Sequence, residues 1–310
     1  MIRFTALFSL LALPALAETP RVVVDIAPVH ALMSQVMDGV GTPELLLQQD
    51  ANPHAIQLRP SQARMLADAD VIVWVGPDLS PWLDRAIDGL GGADQIVLLD
   101  HPATTLSEFT APRPAAEHAD HDDGHDHHEE APHDHAHGDI DPHAWLSADN
   151  ARAWVGAFAD ELSLRDPENA DAYRANAARA DARLADLIGQ IEAHLAPHAG
   201  AEIITFHEAF GYFADQFGIE IAGSIRPGDA ATPSAGALAE IEDLVRAHGV
   251  ECGFAEPGFD PGLLEAVAGE TGLRIGTLDP IGVLQAPGAT HYAATMRAIA
   301  DGIAGCLEDG

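Results

Sequence analysis

Three histidines and one aspartate stand where their side chains could reach a common ligand. His54 and His207 each follow a short apolar run typical of a strand, and His143 comes just before a helical segment. Asp279 lies just past another predicted strand. In open α/β sheets, ligands bind beyond the carboxyl ends of the strands. If two lobes face each other, three imidazoles and one carboxylate would suit a borderline divalent ion, above all Zn²⁺.

Spacing alone leaves this convergence open. The three histidines are 89 and 64 residues apart, which matches no compact metal motif. A single histidine is more often a structural or surface residue than a ligand. A zinc hydrolase is a second interpretation, because it needs three ligands, a bound water and a general base. No HExxH motif is present, and we retain Glu208, next to His207, only as a candidate hydrogen-bond acceptor near the site.

A second group of histidines lies in a low-complexity tract within residues 113–140, which we expect to be disordered. The tract is rich in Asp and Glu and has almost no large apolar side chain. Its histidines could bind zinc weakly and raise the local concentration of the ion; the alternative is a solvated linker. The accessory candidates are His118, His121, His125, His127, His128, His133, His135 and His137.

The overall charge excludes several classes of function. The chain of 310 residues has 15 basic and 49 acidic residues, and its net charge is −34. Such a surface repels phosphate backbones, so we expect no nucleic-acid partner. Every basic residue is arginine, which rules out a lysine nucleophile, a Schiff base and a P-loop.

The first residues indicate export. A charged start is followed by an apolar run and by Ala15-Leu16-Ala17, a pattern that predicts a signal peptide over residues 1–17. The alternative is a membrane anchor, but the run is short for a bilayer. No cysteine follows the cleavage site, so we expect no lipid anchor. In an oxidising compartment, Cys252 and Cys306 suggest a disulfide, with two buried free thiols as the alternative.

Short β-branched runs alternate with helical segments through both halves of the chain. This alternation predicts an α/β fold with two similar lobes, each a parallel sheet flanked by helices. One long helix without internal proline joins them, and the metal site lies in the cleft between the lobes. We place the N-terminal lobe at residues 18–165, the connecting helix at 166–197 and the C-terminal lobe at 198–310.

Ordered motifs over most of the chain resemble those of the substrate-binding proteins of bacterial zinc ABC transporters, the ZnuA type within the cluster A-I metal-binding family. The motifs are Asn52-Pro53-His54, Arg59-Pro60-Ser61, the run at residues 69–77, the His-rich tract, Asp141-Pro142-His143-Ala144-Trp145, the run at residues 206–213, Phe254-Ala255-Glu256-Pro257 and Leu278-Asp279-Pro280.

The resemblance implies that His54, His143 and His207 are metal ligands. Manganese-binding relatives carry a carboxylate at the position of His207, so the imidazole favours zinc. Some zinc-binding members use a glutamate directly before the first histidine, where this chain has Pro53. The fourth ligand is therefore expected to be Asp279, with a water or chloride as the alternative. The pairing of Cys252 with Cys306 also resembles the disulfide of ZnuA-type proteins.

The resemblance also implies a function. We expect a soluble periplasmic protein that captures Zn²⁺ and delivers it to the membrane permease of an ABC importer. A closed four-ligand site leaves no open position for chemistry, so we expect no catalysis. We expect a monomer, with a periplasmic zinc chaperone as a further candidate partner. The alternatives are a manganese or iron carrier of the same family and, less favoured, the zinc hydrolase.

Overall fold

A computed structural model describes residues 19–48, 51–90, 92–109, 140–226 and 233–308. The predicted signal peptide at residues 1–17 lies outside the described residues. The eight candidate histidines of the tract also lie outside them. The described part contains no helix with both the length and the hydropathy needed to cross a membrane.

The first lobe is built on a parallel sheet. Its described strands are β1 (Val22–Val24), β2 (Glu44–Leu45), β3 (Val71–Trp74) and β4 (Asp94–Val97). They lie in the order β2-β1-β3-β4, and every described pairing is parallel. The first and third strands are apolar along their whole length and fully buried, as expected for a sheet covered by helices on both faces.

The second lobe repeats this arrangement. Its described strands are β5 (Glu202–His207), β6 (Glu220–Arg226), β7 (Cys252–Ala255) and β8 (Arg274–Thr277). They lie in the order β6-β5-β7-β8, which is the order of the first sheet applied to the second set of strands. The predicted pair of similar parallel-sheet lobes is therefore confirmed.

Helices cover both sheets and connect them. They are α1 (Ala27–Val36), α2 (Pro60–Asp68), α3 (Pro81–Leu90), α4 (Ala148–Arg165), α5 (Ala170–Leu195), α6 (Gly211–Phe217), α7 (Ala235–His248), α8 (Gly262–Thr271) and α9 (His291–Glu308). The predicted long helix is α5, whose 26 residues extend over about 39 Å. The division of the chain into lobes at residues 165 and 198 stays a prediction.

One continuous hydrophobic core runs through both lobes. It includes Val24 and Val73 of the first sheet and Ile203 and Phe254 of the second. The long helix α5 contributes a buried stripe to this core and packs against α1, α4 and α9. Because the lobes share a close-packed interior, a large hinge opening would expose much apolar surface. The shared core therefore opposes a large separation of the two sheets.

The disulfide between Cys252 and Cys306 is present and links β7 to α9. The two cysteines are 54 residues apart in sequence. Closing a loop of that length in the unfolded chain is worth about 4 kcal/mol of stability in the chain-entropy model. The bond thus ties the last helix to the sheet that carries His207.

A buried carboxyl group joins two strand ends in the first lobe. Asp25 directly follows β1 and is fully buried. One of its carboxylate oxygens accepts the backbone N–H of Ile26 at 2.7 Å and the other accepts that of Val75 at 2.8 Å. Burial raises the pKa of Asp25 to about 7, although both backbone hydrogen bonds favour the charged form. The folded protein therefore binds a proton at Asp25 more tightly than the unfolded chain does.

This raised pKa predicts a pH-dependent stability. The contribution of Asp25 to the free energy of unfolding should fall by up to about 4 kcal/mol as pH rises from 4 to 7, because the proton is lost from the folded state over that interval. Asp25→Asn cannot titrate. Urea unfolding of the metal-free proteins measures both free energies of unfolding. The value for wild type minus the value for Asp25→Asn should fall as pH rises from 4 to 7. Asp68→Asn, which removes an exposed carboxylate at the end of α2, is the control, and a difference that is flat for Asp25→Asn would contradict the assignment.

Candidate metal centre

A small cavity lies where the carboxyl ends of the two sheets face each other. Loops from both lobes line it, among them the segments that carry His54, His207 and Asp279. Its volume is about 100 Å³. Pockets for organic ligands usually enclose about 300–1,000 Å³. The cavity is therefore large enough for a metal ion with a few waters and too small for a peptide or sugar.

The three predicted histidines meet in this cavity. Among the described residues, His54, His143 and His207 form the one group whose side-chain nitrogens could hold a metal, with the chosen atoms all within 4.8 Å of one another. The ring centroids of His143 and His207 are 5.2 Å apart, and that of His54 lies 5.4 Å and 6.3 Å from them. His143 and His207 are buried, whereas His54 is partly exposed.

The distance between two of the ring nitrogens fits a tetrahedral ion. The Nε2 atoms of His143 and His207 are 3.3 Å apart. Zinc–nitrogen bonds are about 2.0–2.1 Å long, so two nitrogens of a tetrahedral site lie about 3.4 Å apart. Two neutral imidazoles with their lone pairs at this distance repel each other, and a cation between them converts that repulsion into coordination.

A buried carboxylate fixes the ring of His143. Asp141 Oδ1 accepts the His143 backbone N–H at 2.9 Å and pairs with His143 Nδ1 at 2.7 Å. Since a carboxylate can only accept, Nδ1 carries the proton and Nε2 keeps its lone pair for the cavity. Asp141 precedes its partner by two residues, so a local turn makes this pairing. The ring also packs against Trp145, whose indole N–H donates to the carbonyl of Pro280 in the second lobe.

The same device recurs at His207, with a partner distant in sequence. Glu256 Oε1 accepts the His207 backbone N–H at 3.1 Å and pairs with His207 Nδ1 at 2.6 Å. His207 ends β5 and Glu256 directly follows β7, and these two strands are neighbours in the second sheet. The adjacent carboxyl ends bring the two side chains together. Such carboxylate–histidine pairs orient metal ligands and increase their basicity.

Hydrogen bonds from the first lobe hold the loop of His54. The His54 backbone N–H donates to Asn52 Oδ1 at 2.9 Å. The carbonyl of Pro53 accepts from Ser80 Oγ at 3.0 Å and from Trp82 Nε1 at 2.7 Å. The loop is thus tied to the start of α3, although it contains no regular secondary structure.

Asp279 lies in the wall of the cavity, outside the three-histidine group. Its Oδ1 accepts the backbone N–H of Gly282 at 2.8 Å, and its Oδ2 accepts that of Leu284 at 3.0 Å. His291 supports the same loop by donating Nε2–H to the carbonyl of Gly282 at 2.9 Å. Burial lowers the pKa of His291, whereas this hydrogen bond to Gly282 acts in the opposite direction. Asp279 therefore organises its own loop beside the three imidazoles.

The electrostatic environment favours a cation. Asp141, Glu256 and Asp279 are all buried around the cavity, and its described lining contains no arginine. Arg226 lies just outside, 5.8 Å from the centroid of the Phe259 ring. Phe259 in turn packs beside the His207 ring at 5.9 Å and covers one side of the site. These three acidic side chains around the imidazoles supply negative charge that a divalent ion would compensate.

Sequence reasoning named the three histidines and did not assign roles to Asp141 and Glu256. Both residues stand inside the motifs that carry the family resemblance. The spacing of two residues between Asp141 and His143 is a signal for a local carboxylate–imidazole turn. Glu256 had no local signal, because its proximity to His207 depends on the strand order. Glu208, the candidate acceptor next to His207, is buried. The described hydrogen bond of the His207 Nδ1 is to Glu256.

Comparison with known proteins identifies relatives over nearly the whole chain. Residues 22–306 match the model of the family described as ZnuA, zinc-uptake complex component A, periplasmic. A high-affinity zinc uptake system protein ZnuA from Paracoccus denitrificans is 44% identical over 311 residues, covering 96% of this chain and 94% of its own.

Solved structures share the fold. The substrate-binding protein FpvC of Pseudomonas aeruginosa, in complex with Ni²⁺, superposes with a TM-score of 0.76 and 23% identity, covering 94% of this chain and 98% of its own. A crystal structure of ZnuA gives a TM-score of 0.74 at 24% identity, covering 93% of this chain and 98% of its own. At these identities the likeness concerns the fold alone.

The carboxylate behind His207 should contribute to metal affinity. Glu256→Gln keeps the shape of the side chain and removes its charge, so we expect zinc affinity to fall by about 10-fold or more, within the range typical for such partners. Competition with a chelator measures the change. Glu251→Gln, which alters an exposed glutamate paired with Arg274, is the matched control. Equal affinity in the two variants would contradict the role assigned to Glu256.

Proposed function

The chain belongs to the ZnuA family of zinc-uptake complex components, and on that premise we propose that it holds one Zn²⁺ between its lobes and passes the ion to the membrane permease of an ABC importer. The observation that carries the proposal is the convergence of three imidazoles on one small cavity. His54, His143 and His207 are the proposed ligands. Zinc is cargo in this function, so binding has to be tight and also reversible.

Nitrogen donors favour zinc over the alternatives. Imidazole suits Zn²⁺ well, whereas Mn²⁺ prefers sites that are richer in oxygen and binds more weakly to the same ligands. A manganese or iron carrier of the same family is the second candidate. Metal competition separates the two, because a zinc carrier should keep Zn²⁺ in the presence of excess Mn²⁺ or Fe²⁺.

The fourth position of the site is proposed to be Asp279. Each of its carboxylate oxygens accepts one backbone N–H and retains a second lone pair. A small movement of its loop could direct one of these lone pairs to the ion. The alternative is that a water or chloride completes the tetrahedron while Asp279 holds the loop. Replacement of Asp279 by Asn tests the ligand role, because unchanged zinc affinity in this variant would rule it out.

We propose that the site performs no catalysis. With four positions filled, the ion has no open position at which to activate a substrate. The cavity volume of about 100 Å³ also leaves little room for an ester or peptide. Zinc-dependent hydrolysis of such substrates would instead support the hydrolase alternative.

The proposed setting is the periplasm, where a soluble monomer would carry the ion. The description of the matched family as periplasmic supports this location, as does the signal-peptide pattern at residues 1–17. Membership of an uptake complex implies a membrane permease as partner. A periplasmic zinc chaperone is proposed as a further partner on the family resemblance.

Removing ligands should abolish tight binding. We expect His143→Ala and His207→Ala each to lower zinc affinity by more than about 100-fold, the upper range for the loss of a partner that only orients a ligand. Calorimetric titration with elemental analysis measures affinity and stoichiometry. His248→Ala, which alters an exposed histidine paired with Glu202, is the control. Unchanged affinity in the first two variants would refute the ligand assignment.

The His-rich tract should be an accessory to this site. Deletion of residues 117–138 is expected to remove weak zinc sites and leave one tightly bound zinc, because the three proposed ligands lie outside the tract. Titration of intact and shortened mature protein measures both classes of site. Loss of all tight binding in the shortened form would make the tract the functional element and would refute the transport site in the cleft.

A further inference from the structure

Tyr212 connects the segment that carries His207 with the segment that carries His143. It lies in the first turn of α6, shortly after His207 in the chain, and it is almost fully buried. Its hydroxyl reaches a segment more than a hundred residues earlier in the sequence, where it meets Ser107. Burial raises the pKa of Tyr212 to about 12, so the hydroxyl is neutral at physiological pH and can donate one hydrogen bond while accepting another.

The hydroxyl binds to a short paired segment, here called the stem, which consists of residues 107–108 and 140–141. Within the stem, Glu108 and Ile140 form an antiparallel bridge, and the Asp141 N–H donates to the Ser107 carbonyl at 2.9 Å. Tyr212 closes the stem. Its oxygen accepts the Ser107 N–H at 2.9 Å and donates to the Asp141 carbonyl at 3.1 Å.

The stem ends at the carboxylate that orients a proposed ligand. Asp141 accepts from both the backbone and the Nδ1 of His143 through a single oxygen. The backbone of Asp141 is held by Tyr212 and by Ser107, and its side chain is almost fully buried. A continuous series of hydrogen bonds therefore runs from α6 in the second lobe through Asp141 to the ring of His143.

We propose that Tyr212 is a positioning residue for zinc binding. By fixing the backbone of Asp141, it holds the ring of His143 at the correct distance from the ring of His207. The proposal rests on the proposed function, because it assumes that both histidines bind the ion. His207 and Tyr212 belong to the same β5–α6 unit, while His143 lies in the segment between β4 and α4. The Tyr212 hydroxyl thus fixes the position of His143 relative to the β5–α6 unit, which carries His207.

The need for this positioning follows from the geometry. The Nε2 atoms of the two rings are 3.3 Å apart, so a small shift of His143 changes the coordination distance directly. Asp141 can hold the His143 ring only as firmly as its own backbone is held. Without the tyrosine hydroxyl, the Ser107 N–H and the Asp141 carbonyl lose a buried partner, and the Asp141 side chain gains freedom.

The first test is the Tyr212→Phe variant of the full chain, which keeps the buried ring and removes the hydroxyl. Zinc affinity is measured by competition with a chelator that is strong enough to leave zinc bound only at the tight site. We expect a loss of about 10-fold, at the lower end of the range for partners that orient metal ligands. Tyr173→Phe is the matched control, since it removes another buried hydroxyl that donates to Asp166 at 2.8 Å, far from the site in the chain. Urea unfolding of both variants reports the loss of stability.

Double variants separate positioning from a general structural role. If Tyr212 acts through Asp141, Tyr212→Phe should cause less than about a twofold further loss in an Asp141→Ala background. In a Glu256→Ala background it should cause its full loss, because Glu256 orients the other ring. Equal losses in the two backgrounds would overturn the proposal, and so would a Tyr212→Phe variant with wild-type affinity.

A spectroscopic measurement tests the role of Tyr212 independently. In ¹⁵N-labelled full-length protein, the Nδ1 proton of His143 should exchange faster with water in Tyr212→Phe, while that of His207 should be unchanged. Equal changes at both rings would also overturn the proposal. Failure of the proposed function looks different: wild type would then lack a tight zinc site, or Asp141→Ala and Glu256→Ala would both bind zinc like wild type.

Discussion

The site depends on one constraint: two buried imidazoles must present unprotonated nitrogens to the same point. Left free, each ring could place its proton on either nitrogen and turn away from its neighbour. Asp141 and Glu256 remove that freedom by accepting the Nδ1 proton and the backbone N–H of the same histidine. Each carboxylate thereby fixes the tautomer, the ring orientation and the adjoining backbone together. Burying two carboxylates behind one cavity is unfavourable, and a divalent cation at the centre would offset that cost.

The scaffold can maintain this constraint because it is stiff. Two parallel sheets with the same strand order direct their carboxyl ends toward a shared cleft. The core is continuous between the lobes, α5 packs along it, and the disulfide fastens α9 to β7. Rigid elements allow the ligand loops to be short and the cavity to be small. Selectivity for an ion over an organic ligand then follows from volume as much as from the donor atoms.

Much of this could be read from the chain before the fold was known. The helix and strand boundaries agree with the hydrophobic pattern to within a few residues, since each depends on local periodicity and capping. The three histidines were recognisable from their motifs and from their positions near strand ends. Asp279 was named as the fourth ligand, and that role stays a prediction; its bonds to Gly282 and Leu284 depend on the loop conformation, which no sequence pattern specified.

The sequence by itself determined the order of elements, the types of donor available and the local Asp141–His143 turn, because these depend on residues close together in the chain. Only the tertiary structure decided that Glu256 supports His207 and that Tyr212 reaches the backbone of Asp141. Both contacts join segments far apart in sequence. They form because strand order and lobe packing bring those segments within hydrogen-bonding distance, and no local signal encodes that distance.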